Sequence, residues 1–545
     1  MAGGIGLTEA DPVILKAAGN FLMVGIAFLL SVHVLRLKLR FELASLPALG
    51  IAAGSVILLG YQGRLEGYND EVLGHLLPRL LQEGPKIILA LVLLAAGISA
   101  ALLLARRLSQ PTYRSLFHVV AGSFFLLVLL QSIHVNFIAL ALALDLLLVA
   151  EYLRRLNDPR SPVVRFVHRI FTPALRAGEV GGYMASLFFL SAMFLVTLLL
   201  PLPLAAGAVA VLTYGDPAAS FFGRRWGRHK WRHNPQKSIE GTLAMFGVCA
   251  GLLLILAPAA GLHPATALLA ALAAALFESL PLRIGDNLIL PLLAGMVLTT
   301  NIGAQVVVAD RTLWLVAVPF LLGLGLFAYA TRMLDFLGSG AAVFFGLLVF
   351  QASVPSLIAL LAFLFLGFGV TRLRYDWKAA LQAAEPDGGR RSVNPVVANG
   401  VVPAFLAVLP ASTGNPYLLA GALSGALADT LATELGLLHP RPVLMSTGKP
   451  VAPGTRGAIS LYGEGAVVAG GALMGILWMA LAGLFPGTGN PAGLMMVCMA
   501  GAVAGAHTDS FLGAAVRALS KEEVNLLGTL TGGAVALMLW MNYQW

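Results

Sequence analysis

The sequence predicts an all-α fold, a polytopic transmembrane helical bundle of about 14–17 spans. Three observations predict it. Of 545 residues, 58% are hydrophobic and 11% charged, against about a quarter charged in an ordinary soluble chain. Apolar runs of about 20 residues recur along the whole length, each long enough to cross a bilayer as a helix. Basic residues gather in a few connections between those runs, as the positive-inside rule expects of cytosolic loops.

In chain order, spans are expected at 13–35, 43–61, 86–106, 116–133, 136–154, 181–200, 202–214, 239–259, 263–280, 288–308, 312–334, 340–368, 394–410, 416–437, 458–483, 490–508 and 523–541. The 202–214 run is short, and 340–368 fits one tilted helix or two. The opening "MAGGIGLTEADPVILK" carries no basic stretch before its first apolar run, so a cleaved signal peptide is not expected. The stretch "RLEGYNDEVLGHLLPRLLQEGPK" (64–86) reads as a loop with a surface helix. Cys249 and Cys498 each sit in an apolar run, which excludes a disulfide framework and a thiolate metal site. The net charge of +9 reads as loop topology, with no nucleic acid as partner. Basic clusters at 106–114, 154–169, 224–237, 372–391 and 441–456 are expected to face the cytosol. The connections 257–264 and 485–491 hold no Lys or Arg and are expected on the other side.

One polar constellation occurs twice. The first copy runs Gly215-Asp216, Lys237-Ser238, Gly241-Thr242, then Glu278 and Asp286-Asn287. The second runs Asp429-Thr430 and Glu434, Lys449, Gly454-Thr455, then Asp509-Ser510. The order is acid, lysine, Gly-Thr, acid in both. Lys237 lies 21 positions after Asp216, and Lys449 lies 20 after Asp429. Two crossings separate Thr242 from Glu278 and Thr455 from Asp509, so each copy is expected to gather its polar groups at one membrane face, the cytosolic one.

Carboxylates at the ends of apolar segments cost about 2.5–3.5 kcal/mol on insertion and point to function. A carboxylate pair suits Mg²⁺, which keeps waters and bridges to substrate phosphates. Lysine is a point charge for a phosphate oxygen, and glycine lets backbone N–H groups approach phosphate. Phosphoryl transfer is mostly positioning and charge stabilisation, so few other groups are needed. Gly448-Lys449 is followed by Pro450 and position 443 is Val, so the P-loop pattern is absent, as is an H-E-x-x-H zinc site. The arginines 224, 225, 228 and 232 fit loop topology as readily as chemistry.

"GDPAASFFGRRWG…NPQKSIEGT" followed by "ESLPLRIGDNLILPL" resembles the CTP-dependent polyprenol kinases, the dolichol kinase and phytol kinase group. "RSLFHVV", with Arg114 and His118, resembles an earlier element of that family. The resemblance covers about 106–300, with Pro217 standing where the family usually has Gly. The stretches "AAEPDGGRRSVNPVVANG", "ALADTLATELG", "STGKPVAPGTRGAISLYG" and "AGAHTDSFLGA" resemble phytyl-phosphate kinase and its bacterial relatives, over about 360–541. Leu431 stands where that family usually has Trp, and Thr433 where it has Ser.

These resemblances imply a fusion with an N-terminal transmembrane region (1–105) and two tandem membrane-embedded kinase-like domains, 106–310 and 311–545. The first would phosphorylate an isoprenoid alcohol with CTP, and the second would convert the monophosphate to the diphosphate. In the first site, Asp216 and Asp286 are assigned to Mg²⁺ and nucleotide phosphate. Lys237 faces the transferring phosphoryl, with Gly215, Ser238, Gly241 and Thr242 around it. Glu240 and Asn287 support these, Glu278 is a candidate base, and Arg114 and His118 are candidate nucleotide ligands. In the second, Asp429 and Asp509 are the metal candidates and Lys449 the phosphate lysine. Thr430, Glu434, Gly454, Thr455 and Ser510 support them, and Arg390 and Arg391 suit an anionic substrate. Asp145, mid-span, and Glu151 have no assigned role. A CDP-diacylglycerol synthase-like cytidylyltransferase is the nearest competing reading. A transporter with intramembrane carboxylates in inverted repeats is the other, and the same-side parity of the two copies argues against inversion.

Overall fold

A computed structural model describes residues 84–105, 109–131, 184–301, 311–380, 386–516 and 519–543, with scattered positions between 136 and 169. The spans expected at 13–35 and 43–61, the loop from 64 to 83, and most of 136–154 with Asp145 and Glu151 lie outside the described residues. The protein is an all-α polytopic membrane protein. Among the described residues, seven helices are long and apolar enough to cross a membrane, and six shorter apolar helices accompany them. Among the described residues, one hairpin of two short strands interrupts the helices and loops. The chain packs as two compact units, Met1–Trp226 and Gly227–Trp545.

The first unit contains α1 (Gly84–Ala105), α2 (Gln110–Gln131), α3 (Met184–Leu199), α4 (Leu202–Ala210) and α5 (Asp216–Trp226). Pro201 and Pro203 start α4 sharply, where a missing N–H costs nothing. The expected short span at 202–214 does not end in a loop. A π-turn at Val211–Gly215 carries the helix straight on into α5, so Asp216 is helical. Such a turn inserts an extra residue into the helix and re-aims the side chains after it. It lies tight against α2, since a Cβ on Gly122 would collide with the Thr213 side chain. The Ser123 and Tyr214 hydroxyls share a 2.9 Å hydrogen bond across the same contact.

The second unit opens with a turn region that feeds α6 (Ile239–Leu256), followed by α7 (Pro264–Ser279) and α8 (Asp286–Thr300). Next come α9 (Arg311–Ala330), α10 (Phe336–Ala352), α11 (Val354–Arg372), the short α12 (Tyr375–Ala380) and α13 (Val393–Ala407). The 340–368 run is two helices. Ser353 breaks it in extended conformation, and its hydroxyl caps α11 by accepting from Ser356 N at 3.3 Å.

The last four helices, α14 (Asn415–Gly436), α15 (Leu461–Leu484), α16 (Pro491–Ala515) and α17 (Lys521–Tyr543), pack against one another as a bundle. Between α14 and α15 lies the hairpin, β1 (Val443–Leu444) against β2 (Ala458–Ile459). In lipid, apolar tails do not drive helices together, so close van der Waals contact through small residues does. Gly421, Gly425, Gly501, Gly505, Gly528 and Gly532 supply it here. A Cβ on Gly505 would stand 2.7 Å from Gly425 Cα, and one on Gly501 2.5 Å from Gly421 O. The glycines fall four apart on α14 and on α16, so each stripe stays on one helix face.

Candidate active site

The glycine stripes lead to the acids. Asp429 lies one turn past Gly425 on α14, and Asp509 one turn past Gly505 on α16. Where the stripes press together, the carboxylates of Asp429 and Asp509 come within hydrogen-bonding reach of each other. From α17, Lys521 lies near enough to act electrostatically on both, and Arg456 acts on Asp509. The amide nitrogen of Asn525 donates to Asp509 Oδ2 at 3.0 Å and to Lys521 O at 2.9 Å. Lys521 and Asn525 are four apart on one helix face. Sequence reasoning missed both, and the signal that reaches them is the third glycine pair, Gly528 and Gly532, on the same helix.

The remaining residues expected at the second site divide. Thr430 donates its hydroxyl back to Ala426 O at 2.9 Å, and Ser510 follows Asp509 on α16. Lys449 is exposed in the loop after β1, with its carbonyl accepting from Leu444 N at 2.9 Å. The charges acting on the carboxylate pair are Lys521 and Arg456, without Lys449. Gly454 has φ +83° in a turn, and the Thr455 hydroxyl donates to Ala452 O at 2.7 Å. The helix begins later, at Leu461, with Ser460 Oγ accepting from Gly463 N at 3.1 Å.

Glu434 belongs to a different contact. Its Oε2 is 2.5 Å from Lys378 Nζ, and Lys378 is 2% exposed. The same ammonium donates to Val370 O and Thr371 O, both at 2.9 Å. The pair ties α14 to α11 and α12. Arg390 Nε donates to Leu334 O at 3.1 Å and stacks on Tyr329. Arg391 Nη2 donates to Thr371 Oγ1 at 3.1 Å and Gly367 O at 3.3 Å.

Part of the first constellation also assembles in this unit. Lys237 Nζ pairs with Glu278 Oε1 on α7, and stands 3.6 Å from Asp286 Oδ2 at the start of α8. Ser238 caps α6, with Oγ accepting from Gly241 N at 3.2 Å. Thr242 Oγ1 accepts from Trp231 Nε1 at 3.0 Å. Glu240 folds back to accept from the Arg228 and His229 backbone N–H groups at 3.1 and 3.0 Å, which shapes the turn. Asn234 clamps that turn to the end of α7 through Ser279 O and Leu280 O, at 3.1 and 3.2 Å. Asn287 is buried. The Arg283 segment touches the start of α17, with Arg283 Nη1 3.6 Å from Glu522 Oε1. The segment before α8 and the start of α17 therefore lie at one end of this unit.

Asp216 stands in the first unit, directly after Gly215 at the end of the π-turn. Its Oδ2 is 3.7 Å from His118 Nδ1, and both side chains are largely buried. Arg114 lies one turn before His118 on the same face of α2. Burial pushes the Arg224 guanidinium down from its ordinary pKa, and Asp216 opposes that shift.

Among the described residues, no cluster of three or more His, Cys, Asp or Glu could hold a metal by itself. The Asp429–Asp509 pair has the composition of a Mg²⁺ site, where one or two carboxylates hold an ion shared with substrate phosphates.

Residues 319–537 match the family described as integral membrane protein DUF92. Over 225 residues, 40% of this chain and 90% of the relative, the chain is 33% identical to an uncharacterized membrane protein of Methanocaldococcus jannaschii. The chain belongs to the DUF92 family. A second relative, an uncharacterized membrane protein of Synechocystis, is 30% identical over 239 residues, 41% of this chain and 90% of its own. The DUF92 region holds the Asp429–Asp509 pair, Lys521, Lys378 and Arg391. Over 85 residues, 16% of this chain, there is 29% identity to the CTP-dependent diacylglycerol kinase 1 of Schizosaccharomyces pombe, of which the match spans 38%. No solved structure matches the chain.

Proposed function

We propose that the protein is a bifunctional membrane kinase that converts an isoprenoid alcohol to its monophosphate and then to its diphosphate, with CTP as donor. The observation that carries this reading is the facing pair Asp429 and Asp509, set beside Lys521 at the end of an apolar bundle. Two carboxylates and an ammonium are what a phosphoryl transfer needs for positioning and charge neutralisation. A second polar set, Lys237 between Glu278 and Asp286, lies toward the same end of the unit. Two such sets suit two successive transfers. The partial likeness to a CTP-dependent lipid kinase supports both the donor and the membrane-borne acceptor.

In the first transfer the prenol oxygen bonds to the γ-phosphorus of CTP, the bond to the β–γ bridging oxygen breaks, and CDP departs. Glu278 would take the hydroxyl proton, with Lys237 bearing on the transferred oxygens. In the second, a phosphate oxygen of the monophosphate attacks a second γ-phosphorus, and CDP leaves again. Asp429 and Asp509 would hold Mg²⁺, which would neutralise the nucleotide phosphates. Lys521 would steady the charge that builds on the bridging oxygen. The sites would face the cytosol, where CTP is found, and the domains 106–310 and 311–545 would carry one step each.

Purified protein with γ-labelled CTP and a panel of prenols tests this. Labelled mono- and diphosphates should form, with CDP released. Pyrophosphate release in place of CDP would make the protein a cytidylyltransferase, and no transfer to any prenol would sink the kinase reading.

A further inference from the structure

Helices α9, α10, α11 and α13 line an apolar groove with an open mouth. Leu321 and Leu324 line it from α9, and Leu360, Leu361 and Leu364 from α11. Among the residues lining it, Arg391 carries the one charge, and Asn399 is the one other polar side chain. Phe365 at the rim is exposed.

The charge sits at one end. Arg391 lies over Gly367, where a Cβ would stand 3.3 Å from both terminal guanidinium nitrogens, so glycine makes the seat. Leu364, then Leu361 and Leu360, lie progressively farther from that seat along α11. The run from 360 to 367 covers about 10 Å of helix. A guanidinium offers a planar fork of donors that matches phosphate oxygens. A cation at one end of a greasy channel is complementary to an amphiphile with one anionic head and one long apolar chain.

We infer that this groove binds a single-chain prenyl phosphate drawn from the bilayer, with its phosphate at Arg391 and its proximal isoprene units along Leu364 and Leu361. This rests on the proposed second phosphorylation and names where that substrate docks. A physical link runs from the groove to the carboxylate helix. Arg391 bonds Thr371 Oγ1 at 3.1 Å, Lys378 donates to Thr371 O at 2.9 Å, and Lys378 pairs with Glu434 at 2.5 Å. Glu434 lies on α14 five positions after Asp429.

The test is photolabelling of the full chain in phosphatidylcholine nanodiscs with a diazirine-tagged geranylgeranyl phosphate, followed by peptide mapping. Label should fall on α11 and α13. Unlabelled geranylgeranyl phosphate should compete at least tenfold better than geranylgeraniol or phosphatidic acid. Leu361→Trp, which fills the groove, should cut labelling about tenfold. Leu326→Trp, at an exposed site on α9, should not. Arg391→Gln should weaken phosphate competition while Arg391→Lys retains part of it, with thermal melting confirming that each variant is folded. Label elsewhere, or equal competition by phosphatidic acid, overturns the inference. Asp429→Asn separates it from the kinase reading, because that variant should label as the unaltered chain does. Groove labelling with no transfer from CTP to any prenol or prenyl phosphate would sink the kinase reading alone, and intact diphosphate synthesis in Asp429→Asn would sink the carboxylate assignment. Asp429-dependent synthesis without groove labelling would sink the groove alone.

Discussion

The two constellations in the second unit are built on one plan but place their charges differently. In each, a capped helix leaves a turn region, a second helix returns, and a third begins after a short loop. Ser238 caps α6 through Gly241, and Ser460 caps α15 through Gly463. Aligned on those caps, Lys237 corresponds to Ile459, not to Lys449. The acid on the returning helix is Glu278 in the first and Asp509 in the second. The starting helix then contributes Asp286 in one and Lys521 in the other. Base and acid have exchanged elements: the turn supplies the lysine in the first copy, and the third helix supplies it in the second. Each arrangement still sets one ammonium beside carboxylates, so the chemistry constrains the net set of charges more than the element that carries each.

The largest effect that can test this comparison is on the packing that makes the second set. Gly505→Leu drives a side chain into α14, where even a Cβ would stand 2.7 Å from Gly425 Cα. Second-step activity should vanish, and the purified protein should lose its cooperative melting transition. Next is the acid pair itself. Asp509→Asn should lower diphosphate formation from supplied monophosphate by about a hundredfold or more, the scale for removing a group that stabilises the transition state, with the alcohol step intact. Product chromatography reads both steps in one assay.

The exchange of lysines is sharpened by a matched pair of variants. Lys521→Ala should slow the second step by about a hundredfold, and Lys449→Ala by about threefold at most. The opposite ranking would restore the sequence alignment of Lys449 with Lys237 and break the cap-based one. Lys237→Met should slow only the first step. A smaller and purely structural effect is expected at the Lys378–Glu434 pair. Lys378→Met strands a buried carboxylate and should cost about 3–5 kcal/mol of stability. The double variant Lys378→Met/Glu434→Leu should recover most of it in thermal unfolding, because an apolar pair of similar volume needs no desolvation.

Much of this was legible along the chain. The helical runs from 181 onward come from apolar length, whereas the break at Ser353 and the cap at Ser238 emerged only in the structure, because a serine in or beside an apolar run does not announce that its hydroxyl will cap a helix. The choice of Asp429 and Asp509 was legible too, since carboxylates inside apolar runs stand out against a membrane background. The glycines four apart that lead to them were equally visible and carried the information that α14, α16 and α17 converge. Lys378 and Lys521 were not legible as site or pair residues. A lysine near a helix end looks the same whether it obeys loop topology or enters a buried pair, because nothing local distinguishes the two.

By itself, the sequence determined the all-α membrane class, the two acid-bearing segments and the membership of residues 319–537 in their family, because composition and short-range periodicity suffice for these. The tertiary structure alone decided which lysine meets which acid, that Glu434 is held by Lys378, and that Asp216 faces His118 from a π-turn. Those outcomes depend on how closely helices far apart in the chain approach. That distance is set by small residues on both partners at once, and no single stretch of sequence encodes it.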